Sequence, residues 1–313
     1  MAATVAGFLG PSWWFFDLFC HFRVQWFLGL SVLATLFLFG RRKGMAAAMG
    51  VFAAINAVTL LPLYFGSIPV PPAAEPPIRA LLINVNTQTG RPELVIKVIE
   101  QFRPDILILE EVNPDWLALL QPALGAFRHS EIRARDDNFG IALFTKFQAV
   151  RSEIRELGPA EVPTVIAELV TPSGKLTVIG THPLPPADGV RTGLRNAQLE
   201  QIPALVREAG SPVVLLGDLN TTPWSAVFGN LLKASNLRDS SRGRGVQPTW
   251  PAQLPLSWIP IDHFLHSPEL QVISKRTGPA VGSDHLPLLV EFNLKHKTNT
   301  PPANGPLFDS SLN

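Results

Sequence analysis

The chain has 313 residues, enough for one large domain or two of average size, and 46% of them are hydrophobic. Its formal net charge of +1 at pH 7 argues against a general nucleic-acid binder, whose basic patch raises the charge of the domain. The single cysteine, Cys20, excludes an internal disulfide and a thiolate metal cluster, and we interpret it as a packing residue.

Two apolar helices are the first predicted elements. Residues 24–40 carry no charged side chain, and residues 45–70 are again uncharged. Crossing a bilayer takes about 20 apolar residues, with 17 as the short limit. We therefore predict a membrane anchor over residues 1–68, with transmembrane helices at about 22–40 and 45–66. The alternatives are a cleaved signal peptide, which the lack of early positive charge disfavours, and a buried helical hairpin of a soluble protein.

The loop between the two helices predicts their orientation. It contains Arg41, Arg42 and Lys43, and positively charged loops stay in the cytoplasm. We expect a multi-pass protein of the cell membrane whose residues after Val70 lie outside the cytoplasm. Residues 69–77 are rich in proline and predict an extended linker that separates the anchor from the following domain.

From residue 78 onwards, short β-rich runs alternate with amphipathic helices. Strands are predicted at 78–85, 105–112, 140–147, 164–171, 175–182, 212–217, 260–266 and 286–292, and helices at 92–102 and 191–208. Hairpins with intervening helices predict a largely antiparallel α/β (α+β) domain over residues 78–294, with packed sheets covered by helices. The polar, turn-rich residues 295–313 predict a disordered tail.

Polar side chains occur at the ends of six predicted strands. A single Asn or Asp there is ordinarily a turn residue, because its side chain bonds the nearby backbone. All six sites, however, are drawn from Asn, Asp, Glu and His, which argues for one shared reaction centre. Carboxylate and amide oxygens suit Mg²⁺ or Mn²⁺. The residues are Asn84, Asn86, Glu110, Glu111, His182, Asp218, Asn220, Asp262, Asp284 and His285.

Seven segments resemble the endonuclease/exonuclease/phosphatase superfamily, which includes DNase I-like nucleases, inositol polyphosphate 5-phosphatases and sphingomyelinases. They are INVN (83–86), PDILILEEV (104–112), FGIALFTK (139–146), GTHPLPP (180–186), GDLNTTP (217–223), PIDHFLHS (260–267) and GSDHLPL (282–288). The resemblance is closest to a membrane-anchored bacterial branch that includes vancomycin-resistance-associated proteins. It implies a four-layered α/β sandwich of two mainly antiparallel sheets flanked by helices, and hydrolysis of a phosphoester with Mg²⁺ or Mn²⁺.

The resemblance also implies a set of metal ligands. Glu111 would bind the main metal ion, while Asn84 would support that ion and its waters. Asn86 occupies a position that is often Asp or Asn, and Asp284 would be a direct or outer ligand. Glu110 stands where relatives often have Gln.

The implied catalytic residues come from four other strand ends. Asp218 would orient or deprotonate the attacking water, and Asn220 would hold that water or the phosphate. His182 would donate a hydrogen bond to the phosphate. Asp262 would fix the tautomer of His285 and raise its basicity. Two roles for His285, general base or protonated phosphate stabiliser, stay open.

Several other polar residues receive a separate interpretation. Arg195 and Asn138 are further candidates, although an arginine on a helix more often lies on a solvated face. We interpret His263 and His266 as structural. The only tyrosine, Tyr64, lies in a membrane segment, which disfavours a close relation to abasic-site nucleases, since these use an additional tyrosine.

The leading hypothesis is a membrane-anchored phosphoesterase that acts outside the cytoplasm on a phosphodiester, phosphomonoester or pyrophosphate. A lipid-linked phosphate is one substrate that the anchor favours. The alternatives are an extracytoplasmic DNase I-like endonuclease and a catalytically inactive, membrane-tethered binding module. A nuclease would need a basic groove, to which Arg128, Arg133, Arg135, Arg238, Arg242 and Arg244 could contribute.

Overall fold

The computed structural model describes residues 1–66, 76–210 and 212–295. The predicted linker, except for residues 76 and 77, and the predicted tail, except for Lys295, lie outside the described residues. The N-terminal region contains the short helices α1 (Ala2–Ala6) and α2 (Trp14–Asp17), and then the long helices α3 (Arg23–Phe39) and α4 (Lys43–Tyr64).

Two six-stranded sheets form the centre of the domain. The first has the order β11-β12-β1-β2-β4-β3 and the second β5-β6-β7-β8-β10-β9. Neighbours are antiparallel except for the parallel pairs β1/β2 and β7/β8. The strands are β1 (Ile78–Asn84), β2 (Ile106–Glu110), β3 (His129–Arg133), β4 (Ile141–Thr145), β5 (Gln148–Leu157), β6 (Val162–Thr171), β7 (Gly174–Thr181), β8 (Val213–Asp218), β9 (Arg238–Asp239), β10 (Asp262–His266), β11 (Leu270–Thr277) and β12 (Leu288–Leu294).

Helices cover the outer face of each sheet. The helices α5 (Pro92–Phe102) and α6 (Pro114–Leu124) pack on the first sheet, and α7 (Gly189–Ala209) and α8 (Ala226–Ser235) on the second. The predicted four-layered sandwich is thereby confirmed. The first four residues of strand β2 are apolar because both faces of the strand are buried. Ile106 and Ile108 face the second sheet, while Leu107 and Leu109 face the helices. Each such burial stabilises the fold by about 1.5–3 kcal/mol.

Several elements were not predicted from the sequence. The edge strands β3 and β5 carry exposed charged side chains, which interrupt the alternation of apolar and polar residues. Helix α6 contains Pro122, which weakens the helical pattern although Asn113 caps its first turn. Strand β9 is only two residues long.

The N-terminal helices form a hairpin that touches the domain. The segments Trp14–Phe39 and Lys43–Tyr64 are each long and apolar enough to cross a membrane. Helices α3 and α4 pack against each other, and only residues 40–42 connect them. The start of α3 and the end of α4 therefore lie at the same end of the hairpin. At this end, Gln25 Nε2 donates to Trp258 O (2.8 Å) and Gly245 N donates to Leu63 O (2.6 Å).

These contacts correct one expectation from the sequence. A linker that keeps the two apolar helices apart from the domain was expected, but the helical hairpin packs on the domain directly. Asp17, His21 and Gln25 of the N-terminal region form hydrogen bonds with groups of the domain. These contacts could not be predicted from the sequence, because the residues that form them are about 200 positions apart along the chain.

Candidate active site

A cavity of about 720 Å³ opens where the carboxyl ends of β1, β2, β7 and β8 meet the start of β10. The cavity lining contains both charged or polar side chains and apolar ones. Its charged and polar lining comprises His21, Glu111, Asp137, Asn138, His182, Arg191, Asp218, Asn220, Asp284 and His285. Its apolar lining comprises Leu18, Phe22, Phe139, Leu184, Pro185, Pro186, Ala187, Trp250, Ile259 and Ile261.

The ends of β1 and β2 bring three of the predicted residues together. Asn84 Nδ2 donates to Glu111 Oε1 (3.0 Å), and the side chain of Asn84 also accepts from the backbone N–H of Asn86 (3.1 Å). Glu111 and Asn86 have left-handed backbone conformations, with φ of +56° and +46°. This conformation is uncommon for a glutamate, and such outliers cluster at functional sites.

The neighbouring Glu110 points the other way, into the space between the two sheets. Its side chain is fully buried, and its carboxylate accepts from Asp218 N at 3.1 and 3.3 Å. Burial raises the pKa of Glu110 to about 8. Glu110 therefore joins the two sheets beneath the site and positions the backbone of Asp218, while Glu111 faces the cavity.

Asp218 lies between two histidines. Its Oδ2 is 3.5 Å from His182 Nε2 and 3.6 Å from His285 Nε2, and its Oδ1 accepts from Asn220 N (2.8 Å). Burial alone would lower the pKa of His182, but its contact with Asp218 and two nearby glutamates raise this pKa to about 9. The arrangement places one carboxylate between two imidazoles on the cavity floor.

Asp262 orients His285 as the sequence predicts. His285 Nδ1 is 2.9 Å from Asp262 Oδ2, so the bond directs Nε2 towards Asp218 and the cavity. Burial opposes the charge on His285, but Asp262 and Asp218 raise its pKa to about 10. Thr249 Oγ1 accepts from the N–H groups of Ile261 and Asp262 and so holds the start of β10.

One predicted residue and one residue outside the predicted set position Asp284. Asn86 Nδ2 donates to Asp284 Oδ1 (2.7 Å). Trp250 Nε1 donates to Asp284 Oδ2 (2.9 Å). Trp250 and its neighbour Thr249 belong to an irregular segment, so no periodic or spacing signal in the sequence indicates either role.

Arg195 is buried rather than solvated. Its guanidinium donates to Asn220 O (2.8 Å) and forms an ion pair with Asp17 (3.3 Å), which belongs to the N-terminal segment. It therefore supports the loop that carries Asp218 and Asn220 from behind. The other additional candidate, Asn138, lines the cavity and accepts from Thr87 Oγ1 (3.2 Å).

The N-terminal segment forms part of the cavity wall, which the sequence did not predict. Leu18, His21 and Phe22 all line the cavity. His21 Nδ1 is 2.9 Å from Thr222 Oγ1, and Asp17 Oδ1 accepts from Ser225 Oγ (2.8 Å). Both contacts fall on the loop that follows Asn220. Residues ahead of the first long helix thus hold the loop after β8, in a domain that begins some sixty residues later.

The donor set fits a divalent cation. Glu111 Oε2 is buried and has no hydrogen-bond partner among the described residues, although burial raises the pKa of this carboxyl. Asn84 bonds Glu111 and Asn86 bonds Asp284, and the oxygens of these carboxylates and amides are of the hard type that Mg²⁺ and Mn²⁺ prefer. A second group, formed by Asp17, Cys20 and His21, also clusters closely. There, however, Asp17 already binds Arg195 and Ser225, which explains that group as part of the interface.

His263 and His266 are not part of the cavity lining. His263 Nε2 bonds Thr221 O (2.8 Å), and His266 Nδ1 bonds Ser267 O (2.9 Å). Both side chains are buried in the second sheet. Their contacts agree with the structural interpretation made from the alternation along β10.

The sequence model of the endonuclease/exonuclease/phosphatase family matches residues 81–285. No curated protein matches the chain. Solved structures with a similar fold include an endonuclease/exonuclease/phosphatase from Bacteroides vulgatus, with TM-score 0.61, 20% identity, and coverage of 71% of this chain and 100% of that one. The human Nocturnin catalytic domain with bound sulfate has TM-score 0.57, 22% identity and coverage of 70% and 94%. D. rerio TDP2 complexed with a single-strand DNA product has TM-score 0.59, 17% identity and coverage of 70% and 100%.

The Asp17–Arg195 contact generates a first prediction. Asp17→Asn leaves the size of the side chain unchanged but removes the charge that pairs with Arg195, so the loop at 218–225 should open more often. We expect hydrogen–deuterium exchange of the amides in residues 219–225 to be about tenfold faster than in the wild type.

Arg23→Gln is the matched control. Arg23 is another buried arginine of the N-terminal region, but it bonds Thr4 O and Asn56 Oδ1 rather than the loop. Its variant should leave exchange in residues 219–225 unchanged. Equal exchange in Asp17→Asn and the wild type would contradict the supporting role of the N-terminal segment.

Proposed function

The chain belongs to the endonuclease/exonuclease/phosphatase family, and from this premise we propose that it is a membrane-associated, divalent-metal-dependent hydrolase of a phosphate ester or pyrophosphate carried by a lipid. Hydrolysis of a phosphoester bond is the chemistry that the family supports. The membrane association, the metal dependence and the lipid-linked substrate go beyond what family membership supports, and they are our proposal.

The composition of the cavity wall is the observation that carries the proposal. Carboxylates and imidazoles of the lining would bind a phosphate and a cation. Half of the lining residues are aromatic, aliphatic or proline side chains, and they include Leu18 and Phe22 of an apolar N-terminal segment. A substrate that carries both a phosphate and a hydrocarbon chain matches this mixed lining.

Each residue on the floor has a defined task in this proposal. Glu111, Asn84, Asn86 and Asp284 would hold Mg²⁺ or Mn²⁺, which, when bound, polarises the phosphoryl group. Asp218 accepts a proton from the attacking water or orients it, and Asn220 positions its loop.

The two histidines act on the phosphate. His182 and His285 donate hydrogen bonds to phosphate oxygens, because their raised pKa values keep both imidazoles protonated near neutral pH. This protonation supports the phosphate-stabilising role of His285 over the general-base role. Asp262 keeps its Nε2 pointed at the phosphate.

A nuclease is the less well supported alternative. Among the described residues that line the cavity, Arg191 is the only arginine or lysine, against the carboxylates of Glu111, Asp137, Asp218 and Asp284. Binding of a DNA backbone draws most of its affinity from contacts between phosphates and basic side chains. None of the six arginines that could have formed a groove belongs to this lining, and three of them, Arg238, Arg242 and Arg244, line a different cavity.

The helical hairpin also supports an orientation. The basic loop at residues 41–43 and the domain lie at opposite ends of the hairpin. If the basic loop is cytoplasmic, the domain is on the extracytoplasmic side. A phosphatase reporter fused after Lys295, active only outside the cytoplasm, should be active. Activity of a cytoplasm-dependent reporter at that position would contradict the orientation.

The substrate class can be tested with the full chain in mixed phospholipid–detergent micelles and Mg²⁺. We expect a polyprenyl pyrophosphate or a phospholipid to be hydrolysed in preference to plasmid DNA. Asp218→Asn should lower kcat by about 10²–10⁴-fold, because it removes the proton acceptor. Asp115→Asn, which changes an exposed carboxylate on α6, is the control and should retain kcat. Cleavage of DNA in preference to both lipids would favour the nuclease.

Metal binding has its own test. Glu111→Gln should weaken Mn²⁺ binding by about tenfold or more in titration calorimetry, because an amide replaces a buried carboxylate whose Oε2 has no hydrogen-bond partner among the described residues. Glu100→Gln changes an exposed glutamate on α5 and should bind Mn²⁺ as the wild type does. Unchanged Mn²⁺ affinity in Glu111→Gln would place the metal elsewhere.

A further inference from the structure

A second cavity of about 680 Å³ lies between α8, β9 and β11, away from the catalytic residues. We call it the basic cavity. Five basic side chains line it, namely Lys233, Arg238, Arg242, Arg244 and Lys295. Among the described residues of its lining, Asp239 is the only carboxylate. Three of the arginines that the sequence suggested for a nucleic-acid groove are therefore gathered here, not at the catalytic cavity.

The positive charge of the basic cavity is not neutralised from within. Asp239 already accepts from Ser241 N (2.8 Å), and the buried Lys275 sits nearby, with its Nζ donating to Ser241 Oγ. Arg244 donates to backbone carbonyls, and Lys295 Nζ donates to Pro268 O (2.6 Å). These carbonyl partners are neutral, so they fix the side chains and leave the charge available to an anion.

The basic cavity adjoins the point where the helical hairpin ends. Gly66, which follows α4, is part of its lining. Gly243 N and Gly245 N donate to the carbonyls of Pro62 (3.4 Å) and Leu63 (2.6 Å), and Gly245 lies against the ring of Tyr64. Tyrosine is frequent at the membrane–water interface, where lipid headgroups lie. Basic clusters next to the end of a transmembrane helix attract anionic lipids.

We propose that the basic cavity binds the phosphate headgroup of an anionic phospholipid. The inference rests on the membrane association proposed above, but it does not depend on the catalytic chemistry. The position of the cavity beside Tyr64 favours a headgroup in the bilayer over a soluble phosphate or a nucleic acid, because a ligand there is presented by the membrane itself.

Lipid binding at this place would orient the domain. The catalytic cavity adjoins the segment before α3, and the basic cavity adjoins the end of α4. Both helix ends are at the same end of the hairpin. A headgroup held in the basic cavity therefore gives the domain a second attachment to the bilayer surface, and it keeps the catalytic cavity next to the lipid phase.

Native mass spectrometry of the full chain in neutral detergent tests the proposal. Dioleoylphosphatidylglycerol or dioleoylphosphatidylcholine is added at equal concentration, and retained lipid is counted. We expect the wild type to retain phosphatidylglycerol about tenfold better than phosphatidylcholine. The triple variant Lys233→Gln, Arg238→Gln, Arg242→Gln should reduce this preference to about twofold or less. All three side chains are exposed, so the unfolding temperature should change little.

The matched control removes three exposed positive charges outside the basic cavity, through Arg128→Gln, Arg151→Gln and Lys175→Gln. It should keep the preference of the wild type. Absence of a phosphatidylglycerol preference in the wild type, or its persistence in the triple variant, would overturn the proposal. Equal competition by glycerol phosphate or by a single-stranded oligonucleotide would overturn it in favour of a soluble anion.

The catalytic assay separates this inference from the proposed function. If the protein hydrolyses its substrate but shows no preference for phosphatidylglycerol, the proposed lipid site is wrong and the proposed enzyme activity stands. If it prefers phosphatidylglycerol but hydrolyses no substrate, the lipid site stands and the proposed activity is wrong.

Discussion

The buried ion pair between Asp17 and Arg195 is the contact on which the arrangement of the site depends. The two side chains are 11% and 1% exposed, and Asp17 also accepts from Ser225 while Arg195 donates to the carbonyl of Asn220. Removing one partner of a buried pair leaves an uncompensated charge, which is strongly destabilising. The pair therefore fixes the N-terminal segment on the domain, and it also fixes the loop after β8. Together, these two contacts position an apolar segment so that it forms part of the cavity wall.

The charged floor depends on a different constraint, the convergence of two parallel strand pairs. The ends of β1 and β2 deliver Asn84 and Glu111, and the ends of β7 and β8 deliver His182 and Asp218. Glu110 connects the pairs, since its carboxylate accepts from Asp218 N across the space between the sheets. Glu111, Asn86, Asn138 and Asn220 all have left-handed backbone at this place. The apolar N-terminal segment and the basic cavity beside Tyr64 support the proposal of an enzyme that works against a lipid surface.

The sequence predicted the layers of the fold and the polar residues at the strand ends, because both follow from local patterns. The side chains of strand β2 point alternately to two buried faces, so they are all apolar up to Leu109. The charged Glu111 follows directly after the strand, where a turn does not require a charge. The sequence did not predict that Arg195 is buried, since its charge and helical position resemble those of a solvated residue. The roles of Thr249, Trp250, Asp17 and His21 were also missed. Each of these depends on a contact between distant parts of the chain, which has no signature in composition, period or spacing.

Photocrosslinking in membranes tests most directly whether the N-terminal segment is built into the catalytic cavity. Benzoylphenylalanine replaces Phe22 in the full chain, and the illuminated product is mapped by mass spectrometry. The account predicts intramolecular crosslinks to peptides that contain residues 184–187 or 250–261, because Phe22 shares the cavity lining with them. Crosslinks to lipid alone would contradict the account, since the segment would then lie apart from the domain.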